Sequence, residues 1–229
     1  MTAAAVIVAA GKGQRFGNTA KVIAPLMGRP VLEYSVRAFE RSESISEIVI
    51  VAGEHTEVPI GHLVSGRKWN KPIRVVRGGE SRQHSTANGV DAVSMGVEVI
   101  LVHDGARPLI QPQHIEACVT AAREFGGAIL ATPMTDTVKR VYDHQIQETI
   151  DRSELWAAQT PQGFRSDLLR EMMKNAARLT TLATDEASLA ELSGHSVRIV
   201  PGDASNLKIT HPTDIVVAEA LLRARKEPS

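Results

Sequence analysis

Short runs of aliphatic residues recur along the chain and alternate with segments whose apolar positions repeat every three or four residues. Ala3–Val8, Ile48–Val51, Ile73–Val76, Val97–Val102 and Gly127–Ala131 are the aliphatic runs, and four of the five are dominated by Val and Ile. Strands covered on both faces require that composition. Pro30–Phe39, Ser85–Met95 and Pro112–Phe125 carry helical spacing between them. Pro30 and Pro112 suit the first turn of a helix, and Gly126-Gly127 suits the end of the third. Strands alternating with helices predict an α/β fold with a single Rossmann-like, doubly wound and mostly parallel sheet. Right-handed crossovers then bring the strand C-termini, and the loops after them, to one edge where ligands bind.

One stretch departs from this rhythm. Thr137–Tyr142 and Ile146–Ile150 alternate polar and apolar residues around Asp143-His144-Gln145, which predicts a protruding β-hairpin over about residues 136–152. A lone hairpin is marginal in water, so the expectation is a dimerisation arm that packs on a second subunit. Beyond it, Arg165–Ala177 and Asp185–Leu192 predict helices, Ser196–Val200 a strand and Pro212–Ala224 a closing helix. No repeat or linker divides the chain, so residues 1–229 are expected to form one domain.

Composition narrows the class further. The chain has 26 Lys and Arg against 26 Asp and Glu, a balance that argues against nucleic-acid binding driven by counterion release. A single cysteine, Cys118, forbids an intrachain disulfide and a cysteine-built zinc site, and fits a reducing compartment. No apolar run is long enough to span a membrane. The apolar N-terminus leads into a glycine-rich turn without a basic leader, so it is expected to be a strand in a cytoplasmic protein.

That turn, Ala9-Ala10-Gly11-Lys12-Gly13-Gln14-Arg15-Phe16-Gly17, follows the first strand directly. Its glycine spacing is not that of the dinucleotide fold, and no Gly-Lys-Ser/Thr closes it as in a Walker loop. It is a run of small residues whose backbone N–H groups can approach phosphates, followed by the cations Arg15 and Lys21. That combination points to a triphosphate site rather than to a bare turn.

The loop resembles the A-A-G-x-G-x-R signature, followed by a lysine, of transferases that make activated sugars and alcohols from nucleoside triphosphates. Further motifs follow in family order. They are Gly78-Gly79-Glu80-Ser81-Arg82-Gln83-His84-Ser85, Val102-His103-Asp104-Gly105-Ala106-Arg107-Pro108, Asp136-Thr137-Val138-Lys139-Arg140, Asp151-Arg152, Thr160-Pro161-Gln162, Thr184-Asp185-Glu186-Ala187-Ser188 and Asn206-Leu207-Lys208-Ile209-Thr210. Together they are similar to those of the 2-C-methyl-D-erythritol 4-phosphate cytidylyltransferases of isoprenoid precursor biosynthesis. One departure is Ala20-Lys21-Val22, where the family usually has Pro-Lys-Gln. The chain ends near its last helix, so the expectation is a form without the cyclodiphosphate synthase domain of fused members.

The resemblance implies transfer of CMP from CTP to the acceptor phosphate with release of pyrophosphate, assisted by Mg²⁺ or another divalent cation. It implies that Arg15, Lys21, Arg152 and Lys208 are catalytic. Ala9, Ala10, Gly11, Gly13, Gly78, Gly79 and Ser85 would bind the nucleotide. Asp104, Arg107, Thr137, Arg152, Thr184 and Lys208 would bind the acceptor, with Asp104 also a candidate metal ligand. Thr137 and Arg152 flank the arm, so in the family they reach the neighbouring subunit's site, which makes a homodimer the expected functional unit. Read without the family, Ser85 opens the helix after the second glycine turn, Thr184 caps the helix at Asp185, Arg107 pairs with Asp104, and Thr160 shapes the acceptor loop. Two other readings compete: a ribitol 5-phosphate cytidylyltransferase and a non-catalytic nucleotide-binding module. The second would keep the glycines and lose the cations.

Overall fold

A computed structural model describes residues 2–11, 16, 20–176 and 183–225. Its strands are β1 (Ala3–Ala9), β2 (Pro25–Leu26), β3 (Arg29–Pro30), β4 (Ile45–Ala52), β5 (Ile73–Arg77), β6 (Val99–Asp104), β7 (Gly127–Pro133), β8 (Val138–Tyr142), β9 (Gln145–Ile150), β10 (Trp156–Arg165) and β11 (Arg198–Pro201). The helices are α1 (Val31–Arg41), α2 (Glu57–Ser65), α3 (Arg82–Asp91), α4 (Pro112–Phe125), α5 (Ser166–Ala176), α6 (Glu186–Leu192) and α7 (Thr213–Ala224). Seven strands form one sheet in the order β11-β7-β10-β6-β1-β4-β5. The pairs β1–β4, β1–β6, β4–β5 and β7–β11 are parallel, whereas β10 runs antiparallel to both its neighbours.

Successive residues of a strand point to opposite faces, and here both faces are apolar. Ile7, Ile50 and Leu101 belong to the cluster that also takes in Leu32, Phe39 and Ile115 of α1 and α4. Their chain neighbours Val6, Val49 and Ile100 belong to the opposite cluster, with Val90, Leu169 and Leu189 of α3, α5 and α6. This is why the strands read as unbroken aliphatic runs. Pro112 is the first residue of α4, and Gly126 ends that helix at φ +88°, a conformation glycine adopts without a Cβ penalty. Pro30 lies just before α1 rather than in its first turn. The expected helix end at Ala177 lies outside the described residues.

Four elements are absent from the sequence reading: the two-residue strands β2 and β3, the helix α2 and the strand β10. α2 was not anticipated, because Pro59 and Gly61 interrupt its pattern and its buried hydrophobic residues are Ile60 and Leu63. Pro59 is tolerated because it falls in the first turn, where N–H groups lack helical partners. β10 was also missed: Gln159, Thr160, Pro161, Gln162 and Gly163 lie in its buried stretch and do not read as a strand. Pro161 sits where the register with β7 shifts between Ala158 and Gln162, an irregularity that accommodates proline in a central strand.

The predicted hairpin is present as the separate two-stranded sheet β8–β9. Its turn is tighter than expected: Asp143 and His144 alone make the reversal with φ of 46° and 59°, and Gln145 already pairs with Tyr142. Two central residues at positive φ are the turn that matches strand twist.

Candidate active site

The parallel strands deliver their C-terminal ends to one edge. Val8 pairs with Asp104 on one side and Val51 on the other, and Ala52 pairs with Arg77. The loops after β1, β4, β5 and β6 therefore start at one level. A cavity of about 870 Å³ opens there. Ala9, Ala10, Gly11 and Lys21 line it after β1, and Gly78, Gly79, Arg82 and Ser85 line it after β5. Asp104 at the end of β6 and Lys208 from the segment before α7 complete its lining. Gly13 and Arg15 lie outside the described residues.

The glycine wall is built for close approach. A Cβ on Gly78 would lie 2.7 Å from the Ala10 Cβ and 2.8 Å from the Ser85 Oγ. Ser85 does not open the helix as expected. Ser81 caps α3 by accepting a hydrogen bond from the His84 N–H, and Ser85 lies buried one turn further in. Its hydroxyl oxygen accepts instead from the Gly79 N–H at 3.1 Å, which fastens the glycine turn to the helix.

Asp104 is the electrostatic centre of the opposite wall. Its Oδ2 is 2.8 Å from Lys208 Nζ and 3.7 Å from Arg107 Nε, and its Oδ1 is 3.7 Å from Arg82 Nη2. Burial alone would raise its pKa, but Lys208, Arg82 and Arg107 together hold it well below the usual carboxylate range. The expected pairing of Arg107 with Asp104 is present, and Arg107 also donates to the Asn206 carbonyl at 2.7 Å. Arg107 thus ties the Asp104 loop to the Lys208 segment from behind the cavity wall.

Beneath Asp104 lies a network that fixes its backbone. Thr160 Oγ1 accepts from the Asp104 N–H at 3.0 Å, which leaves its own proton to donate to His103 Nδ1, also at 3.0 Å. The remaining imidazole proton on Nε2 then faces the Arg107 carbonyl at 3.3 Å. This assignment makes His103 a neutral tautomer, and burial pushes its pKa down to about 4. Thr160 thus links the Asp104 backbone to His103.

The sequence-predicted residues do not all meet. Thr137 and Arg152 stand on or beside the exposed arm, where the Arg152 guanidinium donates to the Thr135 carbonyl. Thr184 is exposed and does not line the cavity. It is not the helix cap either, because Asp185 caps α6 in a capping box with Ser188. Arg82 and Glu186 were missed as site residues. Arg82 Nη1 and Nη2 donate to the two Glu186 carboxylate oxygens at 2.7 and 3.0 Å, from positions 104 residues apart. Among the described residues no group of three metal-ligating side chains is close enough to hold an ion by itself.

A wall of backbone edges suits a nucleotide, and a carboxylate ringed by cations suits the polar groups and phosphates of two anionic reactants. Fold and cavity together define a nucleotidyltransferase. Known proteins narrow that class. The family model described as "2-C-methyl-D-erythritol 4-phosphate cytidylyltransferase" matches residues 3–224. A protein of that name from Caldanaerobacter subterraneus subsp. tengcongensis is 42% identical over 97% of this chain and 100% of its own length. One from Bacillus licheniformis is 42% identical over 96% of each chain. The crystal structure of 4-diphosphocytidyl-2C-methyl-D-erythritol synthase from Anaerococcus prevotii superposes with a TM-score of 0.86 at 30% identity, covering 97% of this chain and 96% of that one. The chain belongs to the 2-C-methyl-D-erythritol 4-phosphate cytidylyltransferase family.

Proposed function

We propose that the cavity at the strand ends is where this chain transfers CMP from CTP to 2-C-methyl-D-erythritol 4-phosphate, a step in isoprenoid precursor biosynthesis. The products are 4-diphosphocytidyl-2-C-methyl-D-erythritol and pyrophosphate. Family membership disfavours the ribitol phosphate alternative. The observation that carries the placement is the Asp104–Lys208 pair facing the glycine wall across one cavity.

In this reading Gly78, Gly79 and Ser85 take the cytosine and ribose, and Ala9, Ala10, Gly11 and Gly13 present N–H groups to the triphosphate. Arg15 and Lys21 lie along the phosphates and stabilise charge as the α-phosphorus becomes five-coordinate. Asp104 accepts from acceptor hydroxyls, while Arg107 fixes the wall behind it. Lys208 and, from a second subunit, Thr137 and Arg152 hold the acceptor phosphate for in-line attack. An acceptor oxygen forms the new P–O bond as the bond to pyrophosphate breaks. A phosphate monoester has a second pKa near 6, so the nucleophile is already ionised at pH 7 and needs no general base.

Mg²⁺ fits this donor set if most of its oxygen ligands arrive with the triphosphate and the protein adds at most Asp104. When bound it would neutralise triphosphate charge. The arm supports a homodimer, because Val141, Tyr142 and Ile146 are exposed on an otherwise unsupported hairpin. No helix among the described residues is long and apolar enough to cross a membrane.

The test mixes purified protein with CTP, Mg²⁺ and either 2-C-methyl-D-erythritol 4-phosphate or ribitol 5-phosphate, and follows pyrophosphate release. Turnover with the first acceptor alone is expected. Turnover with ribitol phosphate alone would overturn the acceptor assignment and leave CTP chemistry in place.

A further inference from the structure

We infer that Glu186 is a positioning residue of this site, which restrains Arg82 so that Asp104 remains free to hold Lys208. The inference rests on the functional reading above and adds a residue to it. Glu186 is the first residue of α6 and is 2% exposed. It accepts both terminal nitrogens of Arg82 and, through Oε1, the Thr86 hydroxyl at 3.2 Å. A buried carboxylate is costly unless paired, so this one is committed to Arg82.

Arg82 also lines the cavity and stops 3.7 Å short of Asp104, at ion-pair range but beyond hydrogen-bond range. Asp104 therefore has two claimants. A guanidinium fork matches both oxygens of a carboxylate, whereas an ammonium takes one. Freed from Glu186, Arg82 would close on Asp104 and compete for the Oδ2 that now holds Lys208. The placement of Glu186 is itself reinforced. Gln162 of β10 donates to the Asp185 carboxylate at 2.8 Å and accepts from the Ala187 N–H at 2.9 Å, on either side of Glu186. Such anchoring fixes the carboxylate relative to the sheet, and with it the reach of Arg82.

The rival account is that Glu186 and Arg82 only staple α6 to α3, and epistasis separates the two. Glu186→Gln is expected to raise KM for the acceptor and lower kcat, together on the order of 10- to 100-fold, as small misplacements of reactants do. The KM for CTP should change little. Arg82→Met placed on Glu186→Gln removes the competing cation, so the double variant should recover most of the acceptor-side loss. A staple predicts the opposite, a double variant at least as impaired as the single one, and that result would overturn the inference.

A second readout does not depend on turnover. In protein labelled with ¹⁵N-lysine, the ammonium signal of Lys208 is assigned by its disappearance in Lys208→Arg. That signal should shift towards those of solvated lysines in Glu186→Gln and return in the double variant. An unchanged signal in Glu186→Gln would also sink the inference. Wild-type protein that fails to turn over would count against the acceptor assignment, and the lysine signal would still decide the role of Glu186. Thr86→Val, which removes one support of Glu186 outside the cavity, should move both readouts in the same direction by less.

Discussion

Lys208 reaches Asp104 at 2.8 Å while its side chain stays 40% exposed, so it is held at one end by the protein and open at the other to an incoming anion. Its removal should therefore cost function far more than stability. Lys208→Ala is expected to lower kcat/KM for the acceptor by about 10²-fold, the scale seen when a donor to developing negative charge is lost. Steady-state assays paired with thermal melts check this, and the melting temperature should fall only modestly, because Arg82 and Arg107 remain beside the buried Asp104 carboxylate to balance its charge. His103 behaves in the opposite way, since it touches no solvent and serves the fold. Its pKa of about 4 in the folded protein lies below the ~6.5 of an unfolded histidine. Between those values the unfolded chain binds a proton that the folded chain refuses. Stability is thus complete above about pH 6.5 and falls towards pH 4, by at most about 1.4 kcal/mol per pH unit. Urea midpoints measured at pH 7 and pH 5 should show this slope, and His103→Gln should flatten it by one proton.

At the scale of elements, the glycine wall depends on how closely α3 and the β1 loop approach the turn after β5. Gly78→Ala would set a methyl group within 2.8 Å of both the Ala10 Cβ and the Ser85 hydroxyl. Relieving that overlap pushes Ser85 away from the Gly79 N–H and fills the slot assigned to cytosine. Overpacking of this size costs about 1–3 kcal/mol of stability. Separately, the filled slot should raise KM for CTP by about tenfold, a loss of about 1.4 kcal/mol in binding, while KM for the acceptor stays near its wild-type value. The same elements show what was legible beforehand. β1, β4 and β6 are buried on both faces and read directly as aliphatic runs, as α4 does from Pro112 to Phe125. β10 did not, because the chemistry of the site occupies it. Thr160 holds the Asp104 N–H, and Gln162 pins α6, so strand positions that would otherwise be Val or Ile are polar. Arg82 and Glu186 were illegible for a different reason. Both lie within quoted motifs, but a charged pair 104 residues apart is created by the sheet order and not by local spacing.

Across the whole molecule, the described chain brings nucleotide wall, Asp104 and Lys208 together but leaves Thr137 and Arg152 on an exposed arm away from that cavity. Two arrangements would use them: an arm folding back on its own subunit, or an arm reaching a second copy. The exposed Val141, Tyr142 and Ile146 favour the second, since an isolated hairpin that exposes three large hydrophobic side chains gains stability by being covered. A composite site makes a quantitative prediction that a self-contained site cannot reproduce. Asp104→Asn disables the cavity but keeps a sound arm, and Arg152→Ala disables the arm but keeps a sound cavity. Mixed after reversible dissociation, two equally dimerising variants give about one half heterodimers, and each heterodimer joins one sound cavity to one sound arm in one of its two sites. Activity should therefore recover to about a quarter of the wild-type level from two preparations that are each nearly inactive. Light scattering on the same samples should show dimers, and Tyr142→Asp with Ile146→Asp should yield monomers that lose turnover while keeping the CTP affinity of the glycine wall. A mixture no more active than its parents, in samples shown to contain heterodimers, would place Arg152 outside the neighbouring site and leave the acceptor phosphate to Lys208.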